Sequence, residues 1–235
     1  MQYEGQRIHP RERLDCAIEL LSGARVVADV GCDHGRLSCA LIQRNTVERC
    51  IATDISEPSL KKAVRLIRQI GAEDRIETRL GDGLKLLAAN EADAIAILGM
   101  GGTLMTEILD VVPPLMGAEK AVLQPMRAPD DIRRWLYERN YPVLDDCVVL
   151  DAGRYYQVFS VGQPQAARQT LPDGWPEDCF ILGYTAFANR EPLMRELTLR
   201  MLATTKRKLK TQHAEALTTL SRQLEQILAN WENRA

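Results

Sequence analysis

Short apolar runs alternate with amphipathic stretches through the first 140 residues of the chain. Residues 25–30 (RVVADV) read as a buried strand, and 49–54 (RCIATD), 75–80 (RIETRL), 93–98 (DAIAIL) and 120–124 (KAVLQ) as further strands. Helices are expected over 35–44, 57–70, 83–90, 103–111 and 129–139, each following a strand. The second of these places Leu60, Val64, Ile67 and Ile70 on one side. An earlier helix, 11–22, carries Leu14, Ile18 and Leu21 at helical spacing. Five strand-then-helix units in succession imply a parallel α/β sheet with right-handed crossovers and helices on both faces. The pattern then changes: 143–150 and 154–161 are two strands joined by the short turn Asp151-Ala152-Gly153, an antiparallel hairpin.

Residues 162–177 are rich in Pro, Gln and Gly and read as a connection. From about 190 the composition is helical, with no Pro or Gly after Leu193 and an apolar stripe that includes Leu197, Met201, Leu224, Ile227 and Trp231. A lone helix of that length would leave much of the stripe uncovered, so a hairpin turning near Thr211-Gln212-His213 is expected. The division that follows is a sheet domain over 1–162, a connection over 163–189 and a helical domain over 190–235.

Length and composition narrow the class. The 235 residues suffice for one α/β domain and a small appendage, and the 46% hydrophobic content with only 5% aromatics implies an aliphatic core. No run approaches the ~18 apolar residues of a spanning helix. The start, MQYEGQRIHPRERLD, lacks an apolar signal region, so a soluble, cytoplasmic protein without a membrane partner is expected. Six cysteines show no two-residue spacing and read as free thiols, while three histidines argue against a metal centre. The net charge of −2 conceals an asymmetry: 190–210 holds seven basic and two acidic residues. Such a stretch can hold a polyanion or simply form a solvated helix face.

Candidate chemistry gathers at the strand ends. The first strand runs into Asp29-Val30-Gly31 and then Cys32-Asp33-His34-Gly35. Glycines there let backbone approach a ligand, and two acids disfavour a pyrophosphate but suit a ligand carrying an ammonium or sulfonium cation. The dinucleotide fingerprint GxGxxG is absent. Asp54 ends the second strand and can accept both hydroxyls of a ribose; Gly81-Asp82-Gly83 follows the third and suits an adenine amino group. Any one of these acids alone reads equally well as a helix cap or turn residue. Acids after three successive strands make the joint coincidence hard to sustain. The fourth strand ends in Leu98-Gly99-Met100-Gly101-Gly102 and the fifth at Gln124-Pro125. Five parallel units followed by a hairpin are what a Rossmann-like, seven-stranded class I methyltransferase sheet requires.

The order DVGCDHGRL, GDGL, AILGMGG, LQP, IRRWLYERNYPVLDD and YYQVFSVG resembles the bacterial tRNA (adenine-22-N1)-methyltransferases over roughly the whole chain, most densely from 26 to 160. The resemblance implies S-adenosylmethionine as methyl donor, tRNA as partner, and a helical, coiled-coil-like C-terminal domain over 190–235. It implies donor contacts from Asp29, Gly31, Cys32, Asp33, His34, Asp54, Ile55, Gly81, Asp82, Gly83, Gly99, Met100 and Gly101. Cys32 stands where the family carries Ser or Thr, Asp54 where it often carries Glu, and the helical tail is short. Adenine N1 already bears a lone pair, so His34 is expected to shape the pocket or cap the next helix rather than act as a base. Asp33 is the candidate catalytic carboxylate, opposite the positive charge that develops on the base. Gly102, Gln124 and Pro125 are expected at the base, and Arg7, Arg13, Arg190, Arg195, Arg200, Lys206 and Arg207 at phosphates. A methyltransferase of small molecules with a dimerising tail, or a donor- and RNA-binding protein without catalysis, are the competing expectations.

Overall fold

A computed structural model of the chain describes residues 13–212 and 214–233. A seven-stranded sheet runs in the order β3-β2-β1-β4-β5-β7-β6. Its parallel part comprises β1 (Val26–Val30), β2 (Arg49–Asp54), β3 (Ile76–Leu80), β4 (Ala94–Gly101) and β5 (Lys120–Arg127). The hairpin of β6 (Val143–Asp151) and β7 (Arg154–Gly162) completes it, with β7 inserted antiparallel beside β5. Helices α1 (Arg13–Leu20), α2 (Arg36–Gln43) and α3 (Glu57–Gln69) cover one face. Helices α4 (Gly102–Asp110) and α5 (Pro129–Glu138) cover the other. The inner strands read as continuous apolar runs because both faces are covered: Val27, Ala28, Ile51, Ala52, Ile95 and Ala96 have no exposed surface.

Local chemistry explains the boundaries. In α3 the Ser56 hydroxyl accepts the Ser59 N–H at 3.3 Å, Pro58 sits in the first turn, and Leu60, Ala63 and Ile67 form the buried face. The fourth and fifth strands each run three residues beyond their expected ends. Leu98 pairs with Gln124 and Met100 with Pro125, leaving Gly99 as a bulge at φ 78° that lets the ladder continue. The helix expected over 83–90 is only a 3₁₀ turn, Gly83–Leu86. Beyond it the chain is held by side chains, with Glu91 accepting the Ala88 N–H at 2.8 Å and Arg79 donating to the Leu86 carbonyl at 2.8 Å.

The C-terminal region is a helical hairpin, α7 (Met194–Leu209) and α8 (Glu215–Asn233), preceded by the five-residue α6 (Tyr184–Ala188). Leu197, Leu224, Ile227 and Trp231 join the same core as α4 and α5. Trp175, Phe180, Leu182, Tyr184 and Phe187, from the segment expected as a connection, are buried in it too. Asn230 and Gln226 of α8 donate to the Gly174 carbonyl at 2.7 and 3.2 Å. Deepest on this side lies an ion pair: Arg133 and Asp146 meet at 2.8 Å with side chains 0% and 1% exposed. Among the described residues no helix is long and apolar enough to cross a membrane.

Candidate active site

Strand order reverses between β1 and β4, and crevices at such a switch point are where α/β sheets bind ligands. A cavity of about 580 Å³ opens there, lined by Asp29, Gly31, Cys32, Asp33, His34, Gly99 and Met100, and also by Arg13 and Arg36. The turn after β1 is held from β2. The Gly31 and Cys32 amides donate to the Thr53 carbonyl at 2.8 and 2.9 Å. Asp54 Oδ2 accepts the Asp33 N–H at 2.8 Å and its Oδ1 the Ser56 N–H at 2.7 Å. This grip keeps Asp33 in the left-handed region, φ 48°, with its carboxylate exposed beside the cavity.

The glycines divide by function. Gly31 is left-handed, and a Cβ there would run into the Met100 methyl group. At Gly99 and Gly101 a Cβ would meet nothing within 4 Å. Gly102 is different. A Cβ there would collide with the Ala128 carbonyl, so this glycine lets α4 pack against the loop entering α5 and is buried rather than presented to a substrate.

Asp29 is 3% exposed, and one oxygen accepts from the Ser38 hydroxyl at 2.7 Å and the Ser38 N–H at 3.3 Å. Burial raises its carboxyl to about 6, against the lowering effect of the Ser38 bonds. Burial also pushes the Cys32 thiol up, reinforced by the charges of Asp29, Asp54 and Asp33, so it stays a neutral wall group. His34 Nε2 lies 3.1 Å from Lys62 Nζ and 3.4 Å from Asp33 Oδ1. The cap position of α2 is taken by Gly35, not His34.

The remaining expected positions fall into groups. Asp54, Ile55, Gly81, Asp82 and Gly83 lie at the neighbouring ends of β2 and β3. Ile55 is 79% exposed, and Asp82 pairs with Lys85 at 2.6 Å. Gln124 is fully buried, its Nε2 bonded to the Pro125 carbonyl at 3.0 Å and its Oε1 without a partner among the described residues, so it does not reach the cavity surface. Arg7 lies outside the described residues. Arg13 reaches the cavity. Arg190 is spent on structure, donating to the Trp231 carbonyl at 3.1 Å beside the indole ring. Arg195 pairs with Glu232 at 3.3 Å and Lys206 with Glu225 at 2.7 Å across the helical hairpin. Arg200 sits 5.4 Å from the Tyr155 ring centroid, and Arg207 is exposed. The basic stretch is therefore partly an internal brace. Sequence reasoning missed Arg36, Leu98 and Asp151 at the cavity, which no local pattern marks.

Residues 11–159 match the family model described as a methyltransferase domain. The chain belongs to that family. A curated relative of this methyltransferase is the tRNA (adenine(22)-N(1))-methyltransferase of Bacillus subtilis, 35% identical over 149 residues. The match covers 63% of this chain and 63% of the relative, under two thirds of its length. Among solved structures, the M1A22 tRNA methyltransferase of B. subtilis superposes with a TM-score of 0.76 at 24% identity, covering 96% of this chain and 98% of the other. TrmK of M. capricolum, in complex with S-adenosyl-homocysteine, gives 0.73 at 18%, covering 95% and 99%. These likenesses extend the shared fold through the helical hairpin.

Proposed function

We propose that the protein transfers a methyl group from S-adenosylmethionine to N1 of an adenine in tRNA, the position 22 adenine named for its B. subtilis relative. The cavity at the β1–β4 switch carries this reading. Its volume lies within the ~300–1,000 Å³ typical of small-molecule sites. Its acids, Asp29 and Asp33, suit an ammonium and a sulfonium, and its arginines, Arg13 and Arg36, suit a carboxylate. Gly99 and Gly101 leave open backbone that a side chain would fill, which fits a ligand laid against β4. Ile55, exposed at the end of β2, offers an apolar face for a flat ring beside the Asp54 carboxylate. When bound, S-adenosylmethionine supplies an electrophilic methyl group on a cationic sulfur.

The residues of the chain then bind, align and desolvate. The lone pair on adenine N1 needs no base, which leaves His34 to hold the loop with Lys62 and Asp33. Asp33, fixed from the backbone by Asp54, places negative charge where the methylated ring turns positive. Residues 190–235 serve as the RNA-holding part, with Arg200 and Arg207 free of the hairpin's ion pairs. A tRNA substrate supports the reading of a cytoplasmic protein. The test has two arms. S-adenosylmethionine, but not a nicotinamide dinucleotide, should raise the melting temperature, and methyl transfer to tRNA transcripts should fall steeply with salt. Asp33→Asn should lower kcat by about tenfold or more at saturating donor. Transfer to small molecules without salt dependence would point instead to a hairpin used for self-association.

A further inference from the structure

A second cleft, about 220 Å³, opens where β5, β7 and α7 meet. Its walls include Pro125, Met126, Arg154, Tyr155, Tyr156 and Leu197. The first cavity lies one strand away: Met100, which lines it, pairs with Pro125, and neighbouring strands are about 4.8 Å apart. Arg13 joins the two. It lines the first cavity, donates to Met126 Sδ at 3.3 Å and lies 4.9 Å from the Tyr156 ring centroid.

The chemistry of this cleft is apolar and aromatic within and cationic around. Arg200 stands over the Tyr155 ring at 5.4 Å. Arg127 and Arg154 are exposed, and their side chains carry no hydrogen bond or ion pair among the described residues. The acids nearby include Glu196, which with Arg200 bonds the Tyr155 side chain, Asp130, next to the wall residue Pro129, and Asp151, on the side of the first cavity. Gln157, the polar amide of the wall, is already committed, accepting from Arg133 at 3.1 Å and donating to the Ile181 carbonyl at 2.9 Å. A pocket of this kind takes a flat aromatic ring that carries anionic groups at its edge. Aromatic platforms with flanking arginines hold unstacked nucleobases in this manner.

We propose that this cleft receives the target adenine, turned out of its stack, with Tyr155 as the platform and Arg127 and Arg154 on the adjoining phosphates. The proposal rests on tRNA being the substrate. It differs from the sequence-based expectation, because Gly102 and Gln124 are buried and only Pro125 of that set faces the cleft. Turning the base out brings its N1 edge to the mouth of the methyl-donor cavity, across which Asp33 faces the developing charge.

The test is a double-perturbation cycle on binding, read by fluorescence anisotropy of a labelled, unmodified tRNA, with methyl transfer followed separately. Tyr155→Leu keeps an apolar side chain but removes the platform, and should weaken tRNA binding about tenfold. Tyr155→Phe keeps the ring and should bind as the wild type does. S-adenosylmethionine affinity of both variants should match the wild type, and both should melt cooperatively well above the assay temperature, which separates a lost platform from a damaged fold. An abasic site at the target position should cost the wild type about tenfold and cost Tyr155→Leu nothing further. Independent, multiplying losses would overturn the assignment of the target base to this cleft, as would unchanged binding by Tyr155→Leu. Coupled losses without any methyl transfer would leave the cleft standing and sink the reaction instead. A wild-type protein that does not bind tRNA would overturn both.

Discussion

Replacing Asp29 by asparagine should stabilise the ligand-free protein while damaging its donor site. The Asp29 carboxyl is 3% exposed and, among the described residues, is bonded through Ser38. Burial raises it from 3.8 to about 6, a difference of about 2 units. At ~1.36 kcal/mol per unit, holding this carboxylate ionised at pH 8 costs about 3 kcal/mol at most. The sign is set by the proton count. Between about pH 4 and 6 the folded state binds more protons than the unfolded state, so the wild type loses stability as pH rises through that window. Asparagine does not titrate and keeps an oxygen for Ser38. Its amide N–H groups need partners, which offsets about 1–2 kcal/mol of the gain. The expected outcome is a melting temperature above wild type at pH 8, by a few degrees at ~2–4 °C per kcal/mol for a chain of this size, shrinking toward pH 4–5. Asp146 has a similarly raised carboxyl, but it is common to both proteins and cancels in the difference. Saturating S-adenosylmethionine should add less stability to the variant than to the wild type, because the negative charge beneath the donor cavity is gone. Melting curves from pH 5 to 8, with and without donor, measure both effects. A difference independent of pH, or a variant destabilised most at pH 8, would refute the reasoning.

Three further outcomes follow from the packing. Gly102→Ala should cost about 1–3 kcal/mol in chemical denaturation, since its Cβ meets the backbone carbonyl of Ala128, whereas Gly101→Ala should leave stability nearly unchanged. Arg133→Met should cost about 3–5 kcal/mol because it strands Asp146 in the core, and adding Asp146→Leu should recover much of that loss. Arg207→Gln should lower the salt dependence of tRNA binding by about one phosphate contact, whereas Arg190→Gln should lower melting temperature and leave the salt slope unchanged, as its guanidinium holds the end of α8.

The parallel half of the fold was legible because the inner strands are buried on both faces and therefore written largely as apolar runs, with Gly or Asp where β1, β2 and β4 leave the sheet. The hairpin of β6 and β7 was legible from its turn, and the split between α7 and α8 from a stripe too long for one uncovered helix. The segment 163–189 was not. Trp175, Phe180, Tyr184 and Phe187 are spaced without period among Pro and Gly, and it is contact with α5, α8 and β6 that makes them core. Within the site, acids near strand ends were readable in position but not in use. Asp54 spends its oxygens on the backbone of the next turn, and Asp29 is sunk below the surface. Glycines mislead for a related reason. Gly99 and Gly102 look alike in sequence, yet one opens space along β4 and the other admits the Ala128 carbonyl. The second cleft had no local signature, because Met126, Tyr155 and Leu197 come from three elements and meet only when β7 inserts beside β5.

The central claim is that methyl transfer ends on a ring nitrogen of a tRNA adenine. The direct measurement incubates the protein with methyl-labelled S-adenosylmethionine and unmodified tRNA, digests the product to nucleosides and identifies the labelled species. Label in 1-methyladenosine, mapped to position 22 and incorporated more slowly by Asp33→Asn, is the predicted result. Label on the exocyclic amino group of adenine, or none in tRNA while the donor is bound, would contradict the account.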